Sequence, residues 1–285
     1  MDTLCRCGSG LPYEQCHKKA DEWIKEYKNK HQRVPTFAMI KNPVQIEKIR
    51  EAGRVNTLVL DAVDRMIGEG VTTEDINHVV DTETRKLGGI PAPLNYEGFP
   101  KSVCTSVNDQ VCHGIPDKRV RLVKGDIINV DCTTNYGGYY GDASRMYEIG
   151  EVSPLAERLV KVTRESVELA IGKIGPFAHL GDVGFYINRH AVKNGFSVVR
   201  EVGGHGVGLE MHEDPYVCHV GDLGKDIVLL PGMIFTIEPM INAGKRNVFI
   251  DSGNGWTIYT ADGSLSAQVE HTVLITETGV EVLSR

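Results

Sequence analysis

The sequence predicts an α+β fold with a largely antiparallel sheet, an internal repeat of pseudo-twofold type and a short zinc-binding extension at the amino end. Helical patterns occur in pairs that are followed by groups of strand-like stretches, whereas an α/β protein would alternate strictly between the two. A pattern of glycine, apolar strand and acid occurs twice. Three cysteines and a histidine cluster within the first 17 residues, far from the remaining cysteines.

Length and composition limit the class of protein. A chain of 285 residues can bury a sizeable core without disulfide bonds. Its formal net charge of −7 argues against a role in coating nucleic acid. No apolar run approaches the 18 residues of a membrane span, and the first residues lack the pattern of a secretory signal. A cytoplasmic location is therefore expected.

The charge distribution predicts a boundary between residues 1–33, with a net charge of +2, and residues 34–285, with a net charge of −9. The Val34-Pro35 step is interpreted as the linker. In the first part, thiolate and imidazole ligands form two close pairs joined by a glycine-rich loop, which is typical of a tetrahedral Zn²⁺ site. Zinc would supply the folding free energy of a segment without a core, and a disordered tail with reduced cysteines is the alternative. The expected ligands are Cys5, Cys7, Cys16 and His17.

Residues 5–17 resemble the SEC-C motif, the small zinc element at the carboxyl end of the bacterial translocase motor. The resemblance rests on the Cys-x-Cys pair, the Gly-Ser-Gly core and the final Cys-His pair. It implies zinc and a docking role, with the ribosome or another protein as the partner. An amphipathic helix follows, and its apolar stripe is interpreted equally as a face that packs on the body or one that binds a partner. The stripe comprises Ala20, Trp23, Ile24 and Tyr27.

Four helices and six strands are predicted in the body. Asparagine or serine before proline begins the first and third helices, at Asn42 and Ser153. A capping box at Thr72 opens the second helix, and glycines end the second and fourth, at Gly88 and Gly195. The helical patterns cover residues 43–68, 72–88, 153–169 and 181–193, and the strand patterns cover 102–107, 126–131, 139–147, 197–202, 233–238 and 272–276.

The repeated pattern places an acid six residues after a glycine, from Gly125 to Asp131 and from Gly232 to Glu238. Side chains alternate between the faces of a strand, so Thr236 shares a face with Glu238. Two equivalent strands thus each end in a carboxylate, which is a common metal ligand.

Five polar residues stand in otherwise apolar or glycine-rich surroundings, and four of them are acids. Taken singly, a strand-end acid is usually solvated, and a histidine beside glycines usually belongs to a turn. If the five lie together, the carboxylates repel one another unless cations compensate them, and two divalent ions would balance the four charges. Oxygen ligands with one imidazole suit Mn²⁺, Fe²⁺, Co²⁺ or Zn²⁺. The five are Asp131, Asp142, His205, Glu238 and Glu270.

The order of these residues resembles the ligand set of the pita-bread (creatinase/aminopeptidase) metallopeptidases. From about residue 38 onward, the sequence is similar to type I methionine aminopeptidases. The resemblance implies a pita-bread fold and a metallo-aminopeptidase that removes the initiator methionine from nascent proteins whose second residue is small. The matching strings are Phe-Pro-Lys-Ser-Val-Cys104, Val-Cys-His113-Gly-Ile-Pro, Asp-Ile-Ile-Asn-Val-Asp131, Gly-Gly-His205-Gly-Val-Gly, Thr-Ile-Glu238-Pro-Met and Ser-Ala-Gln-Val-Glu270-His-Thr.

The resemblance also implies a role for each ligand. Asp131 would chelate one ion, while Asp142 and Glu270 would bridge the two. His205 and Glu238 would complete the second ion's set, and the pair of ions would activate a water molecule as the nucleophile. Glu238 would also act as the general base.

Two further histidines and an apolar pocket follow from the same resemblance. His212 would bind the scissile carbonyl oxygen, and His113 would contact the scissile nitrogen. Flexible sulfur-containing and aromatic walls suit a methionine side chain. Pro93 and Met211 stand where the family often has a cysteine and a phenylalanine. Both keep the pocket apolar, and the second removes a ring from its wall. The expected lining is Tyr96, Phe99, Cys104, Met211 and Trp256.

Rival functions have weaker support. Gly204–Gly208 lacks the register of a dinucleotide or phosphate loop, and His212 has no second histidine four residues on, as a zincin helix requires. A proline-specific peptidase would share the five ligands but would usually carry a large amino-terminal domain. A non-catalytic binding protein of the same fold would have lost ligands.

Two expectations concern the whole chain. We expect a monomer that acts on nascent polypeptides. Because Asp2 is larger than the small residues that permit cleavage, we also expect the enzyme to retain its own Met1. Intact-mass measurement of the native protein tests that expectation.

Overall fold

The computed structural model describes residues 3–285, so the expectation about Met1 and Asp2 lies outside the described residues. None of the helices within residues 3–285 combines the length and apolar character needed to cross a membrane. All four helices predicted in the body are present, and a fifth precedes them. The helices are α1 Lys18–Asn29, α2 Pro43–Asp64, α3 Thr73–Lys86, α4 Pro154–Ile171 and α5 Leu180–Lys193.

The helix ends follow the predicted capping signals. The side chain of Asn42 accepts the Gln45 amide at 2.9 Å, and that of Gln45 accepts the Asn42 amide at 2.9 Å, which makes a capping box. Thr72 opens α3 in the same way. The first predicted helix was too long: α2 ends at Asp64, and the Met66 amide beyond it forms a tighter turn by donating to the Val63 carbonyl, three residues back, at 3.0 Å.

Fifteen strands form three sheets, and every strand pairing within residues 3–285 is antiparallel, as predicted. Each of the six predicted stretches contains a strand, but the one at 197–202 contributes only its first two residues. The strands are β1 Ile90–Pro91, β2 Cys104–Val107, β3 Gln110–Cys112, β4 Ile127–Tyr136, β5 Tyr139–Glu148, β6 Ser197–Val198, β7 Gly204–Gly206, β8 Glu213–Val217, β9 Ile234–Ile237, β10 Met240–Asn242, β11 Val248–Ile250, β12 Ile258–Thr260, β13 Ser266–Gln268, β14 Glu270–Ile275 and β15 Val280–Ser284.

The largest sheet has nine strands and joins the two copies of the repeated pattern. Its order is β1-β4-β5-β14-β9-β7-β8, with β2 beside β4 and β15 beside β14. The first copy ends on β4, which pairs with β5, and the second ends just after β9, which pairs with β14. Because β5 and β14 also pair with each other, the two halves meet in the middle of the sheet.

The helices cover the sheets in two groups with separate apolar cores. Residues of α2 and α3 pack on β4 and β5 around Leu60 and Ile128. Residues of α4 and α5 pack on β9 and its neighbours around Leu159, Ile187 and Phe235. These layers leave the polar ends of the central strands free to form a site.

The amino-terminal helix packs on the second of these cores. Its apolar stripe contacts the buried cluster of α4 and α5, which matches the packing interpretation of that stripe. The Phe177 ring lies between Trp23, at 5.6 Å between ring centroids, and Tyr27, at 5.5 Å. Lys19 adds an ion pair to Glu277 at 2.6 Å. The boundary at residues 33 and 34 stays a prediction.

Candidate active site

A cavity of about 660 Å³ opens between the two halves of the large sheet. It is lined by all of the residues that the sequence proposed for ligands, catalytic histidines and substrate pocket. These are Asp131, Asp142, His205, Glu238 and Glu270, then His113 and His212, then Tyr96, Phe99, Cys104, Met211 and Trp256.

The pairing of strands explains why the four acids converge. Asp131 lies on β4, and its neighbour β5 carries Asp142. Glu270 is the first residue of β14. The second residue of β14 pairs with the last residue of β9, which comes directly before Glu238. Since β14 lies between β5 and β9, all four carboxyl groups reach the same cavity from neighbouring strands.

The distances within the cluster are those of groups that can share ions. The Nε2 atom of His205 is 3.8 Å from Asp142 Oδ2 and 3.5 Å from Glu238 Oε1. Ligand atoms of Asp142, His205 and Glu270 all lie within 4.8 Å of one another. The Glu270 carboxyl group acts to lower the pKa of Asp131, against the larger effect of burial.

The electrostatics of the cluster favour the binding of cations. Among residues 3–285, no lysine or arginine lines the cavity. Burial raises the pKa of Asp131 to about 7. Burial, followed by the charge of Asp131, raises the pKa of both Asp142 and Glu238, and burial with the charge of Asp142 does the same for Glu270. Four such groups ionise together only beside positive charge, so the donor set fits divalent metal ions.

The His205 imidazole in the cluster is also suited to bind a metal ion. Burial, with a contribution from the nearby His212, lowers the pKa of His205 to about 4. His205 is therefore neutral at pH 7, which is the form that binds metals. Its Nδ1 atom lies 3.0 Å from the carbonyl oxygen of Gly206, so in the tautomer that donates this bond Nε2 is free to coordinate.

A shell of polar residues holds the acids in place, and the sequence did not assign these residues to the site. The Thr133 hydroxyl donates to Asp142 Oδ1 at 2.8 Å, and the Thr236 hydroxyl donates to Glu238 Oε1 at 2.7 Å. Gln268 donates to Glu238 Oε2 at 3.2 Å, and the buried His219 ring accepts the Glu238 amide at 3.1 Å. Thr133, Thr236 and Gln268 carried a weak signal, because each lies two residues from a proposed ligand in the sequence.

His212 lies at the mouth of the cavity and contacts both the cluster and the pocket. Its ring centroid is 4.3 Å from that of His205, and its Nδ1 is 2.8 Å from the Tyr96 hydroxyl. Burial raises the pKa of Tyr96, so the hydroxyl keeps its proton and can donate it to Nδ1. Burial lowers the pKa of His212. The neutral ring then presents Nε2–H as a donor to the cavity.

His113 and the apolar residues line another part of the cavity. Burial, followed by the influence of His212, lowers the pKa of His113 to about 4. The Trp256 ring meets Phe99 edge to face, with centroids 5.2 Å apart, and lies 6.2 Å from His113. Burial raises the pKa of Cys104, so this thiol stays protonated and behaves as an apolar wall.

A second cluster of ligand-type atoms lies in the amino-terminal segment, with all four predicted side chains brought together within 4.8 Å. Cys5 Sγ and Cys16 Sγ lie 3.3 and 3.2 Å from His17 Nδ1, and Cys7 Sγ lies 3.5 Å from Cys16 Sγ. Burial opposes ionisation of Cys7, but hydrogen bonds from Ser9 lower its pKa to about 6. Three thiols and one imidazole converge, which is a donor set that fits zinc.

Comparisons with known proteins agree with this geometry. The model of metallopeptidase family M24 matches residues 47–277. Methionine aminopeptidase A of Synechocystis sp. is 49% identical over 241 residues, which cover 84% of this chain and 94% of that protein. Methionine aminopeptidase of Chlamydia muridarum is 43% identical over 98% of this chain and 97% of its own length. The crystal structure of methionine aminopeptidase from Rickettsia prowazekii superimposes with a TM-score of 0.84 at 42% identity, over 86% of this chain and 99% of that one.

Proposed function

Because this chain belongs to metallopeptidase family M24, we propose that it removes the initiator methionine from nascent proteins whose second residue is small. The chain has the pita-bread fold, and it is a hydrolase of the aminopeptidase class. The observation that carries the proposal is the convergence of four carboxyl groups and one imidazole in a cavity without lysine or arginine, within residues 3–285.

We propose that five residues hold two divalent ions, namely Asp131, Asp142, His205, Glu238 and Glu270. The raised pKa values of the acids support this assignment, because ions would relieve the repulsion that raises them. Bound ions supply Lewis-acid chemistry and lower the pKa of a coordinated water. The shared distances from His205 to Asp142 and Glu238 support a common centre for residues of both halves.

The protein's own groups would move protons and position the substrate. Glu238 is the proposed general base, and its two oxygens are oriented by Thr236 and Gln268. His212 presents a donor for the scissile carbonyl oxygen, with Tyr96 fixing its tautomer. His113, neutral at pH 7, faces the same cavity and is the proposed partner of the scissile nitrogen.

The pocket beside these groups fits an unbranched apolar side chain. Phe99 and Trp256 form an aromatic corner, and Met211 adds a flexible thioether where a ring is common in the family. Acidic residues at the rim, including Glu97 and Glu201, add a negative potential that favours the ammonium group of a peptide's first residue.

The amino-terminal segment is proposed as a structural zinc site. Cys5, Cys7, Cys16 and His17 are its ligands, and residues 1–33 are the corresponding unit before a catalytic domain at 34–285. Its exposed surface is the proposed contact to the ribosome, and cosedimentation of ribosomes with the intact chain and with a Cys5→Ser/Cys7→Ser variant tests this. We further propose a cytoplasmic monomer, since one chain supplies every residue of the site and free thiols suit a reducing compartment.

The decisive experiment compares Met-Ala-Ser with an Xaa-Pro tripeptide before and after chelation. We expect the first peptide to lose methionine only when divalent ions are present, and the second to remain intact. Preferential cleavage of the Xaa-Pro peptide would instead indicate a proline-specific peptidase. Equal activity in the fully chelated sample would contradict the metal assignment.

A further inference from the structure

The segment of residues 37–42 joins the zinc cluster to the body of the protein. The Nε2 atom of His17 lies 3.1 Å from the Ile40 carbonyl oxygen, and the Asn42 side-chain amide donates to Cys7 Sγ at 3.6 Å. The Lys41 amide donates to the Gly232 carbonyl at 2.9 Å. The segment is therefore hydrogen-bonded both to the cysteine–histidine cluster and to the body of the protein.

The side chain of Lys41 is almost completely buried, with 1% of its surface exposed. Its ammonium group donates to the Ala38 carbonyl at 3.2 Å and forms an ion pair with Glu213, whose side chain is 14% exposed. A buried lysine needs a charged partner, and Glu213 is the acid with which it pairs.

The second oxygen of Glu213 is directed at a tight turn. Glu213 Oε1 accepts the amides of Leu209 at 2.6 Å and of Glu210 at 3.1 Å. This turn, residues 208–213, carries Met211 and His212 into the cavity. The carboxylate of Glu213 thus connects Lys41 on one side with the backbone of the turn on the other.

The other end of the turn is fixed by packing. Gly208 has a φ of +136°, and a Cβ atom there would collide with the Ile49 side chain on α2. The Gly208 carbonyl also accepts the Tyr140 amide at 2.9 Å. Because α2 and β5 fix the turn at Gly208, the position of His212 depends on the contacts that hold the rest of the turn.

We propose that the buried Lys41–Glu213 ion pair is a positioning element that holds the 208–213 turn and thereby keeps His212 over the reacting carbonyl. The inference rests on the proposed function, because it assumes that His212 acts on the substrate. Neither Lys41 nor Glu213 need touch the substrate for the pair to act in this way.

The test measures kcat and KM for Met-Ala-Ser with Lys41→Met, with His212→Ala and with both together. Loss of the carbonyl donor in His212→Ala is expected to lower kcat about 100-fold. A displaced donor in Lys41→Met is expected to lower kcat about tenfold with little change in KM. In the His212→Ala background, the same Lys41 substitution is expected to change kcat less than about twofold, since the group through which it acts is gone.

The control is Lys19→Met. Lys19 also joins the amino-terminal segment to the body through an ion pair, with Glu277, but it makes no contact with the turn. We expect its kcat to stay within about twofold of the unsubstituted enzyme. If Lys41→Met does not fold, Glu213→Gln carries the same test, because it keeps an oxygen acceptor and nearly the same volume.

Equal effects of Lys41→Met in both backgrounds, or an unchanged kcat in a folded variant, would overturn the proposal. A purely structural role for the pair would lower the melting temperature and leave the kcat of the folded enzyme intact. Failure of the proposed function looks different, because the unsubstituted, metal-loaded enzyme would then not cleave Met-Ala-Ser at all.

Discussion

The two clusters of ligand-type residues in this molecule are built in opposite ways. Cys5, Cys7, Cys16 and His17 come from one short stretch and offer three sulfur atoms and one nitrogen. The cavity draws four acids and His205 from five strands or strand ends, with Asp131 and Glu270 far apart in the sequence. The first set comes from neighbouring turns of one short segment, whereas the second exists only once the large sheet has formed.

The difference is the one expected between a proposed structural metal site and a proposed catalytic one. Closed sets of soft ligands are typical of structural zinc, and oxygen-rich sets in an open cavity leave room for substrate. In the amino-terminal cluster, the proposed zinc would supply stability to a small segment. In the cavity the sheet must bring mutually repelling carboxyl groups together, so the folded protein bears an electrostatic cost that the ions offset.

The sharpest test of this contrast is Asp142→Asn. The substitution removes a proposed bridging carboxylate, so we expect metal content in the cavity to fall and turnover of Met-Ala-Ser to drop by on the order of 1,000-fold. The zinc of the amino-terminal cluster should remain, as measured by elemental analysis of the purified protein. Full activity in Asp142→Asn would show that the acids do not act as one unit.

A smaller effect than that of Asp142→Asn is expected when the free energy of unfolding of the metal-free protein is measured at different pH values. Asp131 has a pKa of about 7 in the folded chain against an ordinary value of 3.8, so the folded state binds the extra proton between those values. The free energy of unfolding should therefore fall as pH rises from about 4 to 7, and each unit of pKa difference contributes about 1.4 kcal/mol.

Urea denaturation of the chelated protein at pH 5 and pH 7.5 measures this slope. The chelated Asp131→Asn variant is the control and should show a shallower slope, since it lacks the group that titrates. A metal-free protein that is more stable at pH 7.5 than at pH 5, relative to that control, would contradict the electrostatic account.

The smallest effect on catalysis is expected for Cys5→Ser/Cys7→Ser. This variant should lose one zinc per chain, while kcat/KM for Met-Ala-Ser stays within about threefold, because Lys41 and Glu213 remain paired. Elemental analysis and peptide assays on the same sample check both parts. A loss of activity as large as that of Asp142→Asn would mean that the two clusters are not independent.

Local signals predicted much of the fold. The capping residues Asn42 and Thr72 fix the starts of two helices, and both were visible in the sequence because their partners lie three positions away. The stretch after Ser197 was predicted too long as a strand. Only Ser197 and Val198 pair with β10 in a ladder, and Val199 keeps a single bond to the Met240 carbonyl at 3.0 Å.

The site could be predicted only in part. The repeated glycine–acid spacing and the apolar surroundings singled out the five candidate ligands, and family resemblance supplied their roles and the substrate pocket. No spacing rule states that β14 inserts between β5 and β9. His219 could not have been found, since a histidine 19 residues from Glu238 carries no local signal. Lys41 and Glu213 are separated by 172 positions and meet only through the tertiary fold.

The central place of β14 bears on how such an enzyme comes into being. Within the large sheet, this strand is among the last in chain order, yet it lies between β5 and β9 and carries Glu270 at its first residue. No fragment that stops short of it can gather the catalytic set, however well its own helices fold. With the proposed ligand set, the site can therefore form only once β14 has taken its place between β5 and β9.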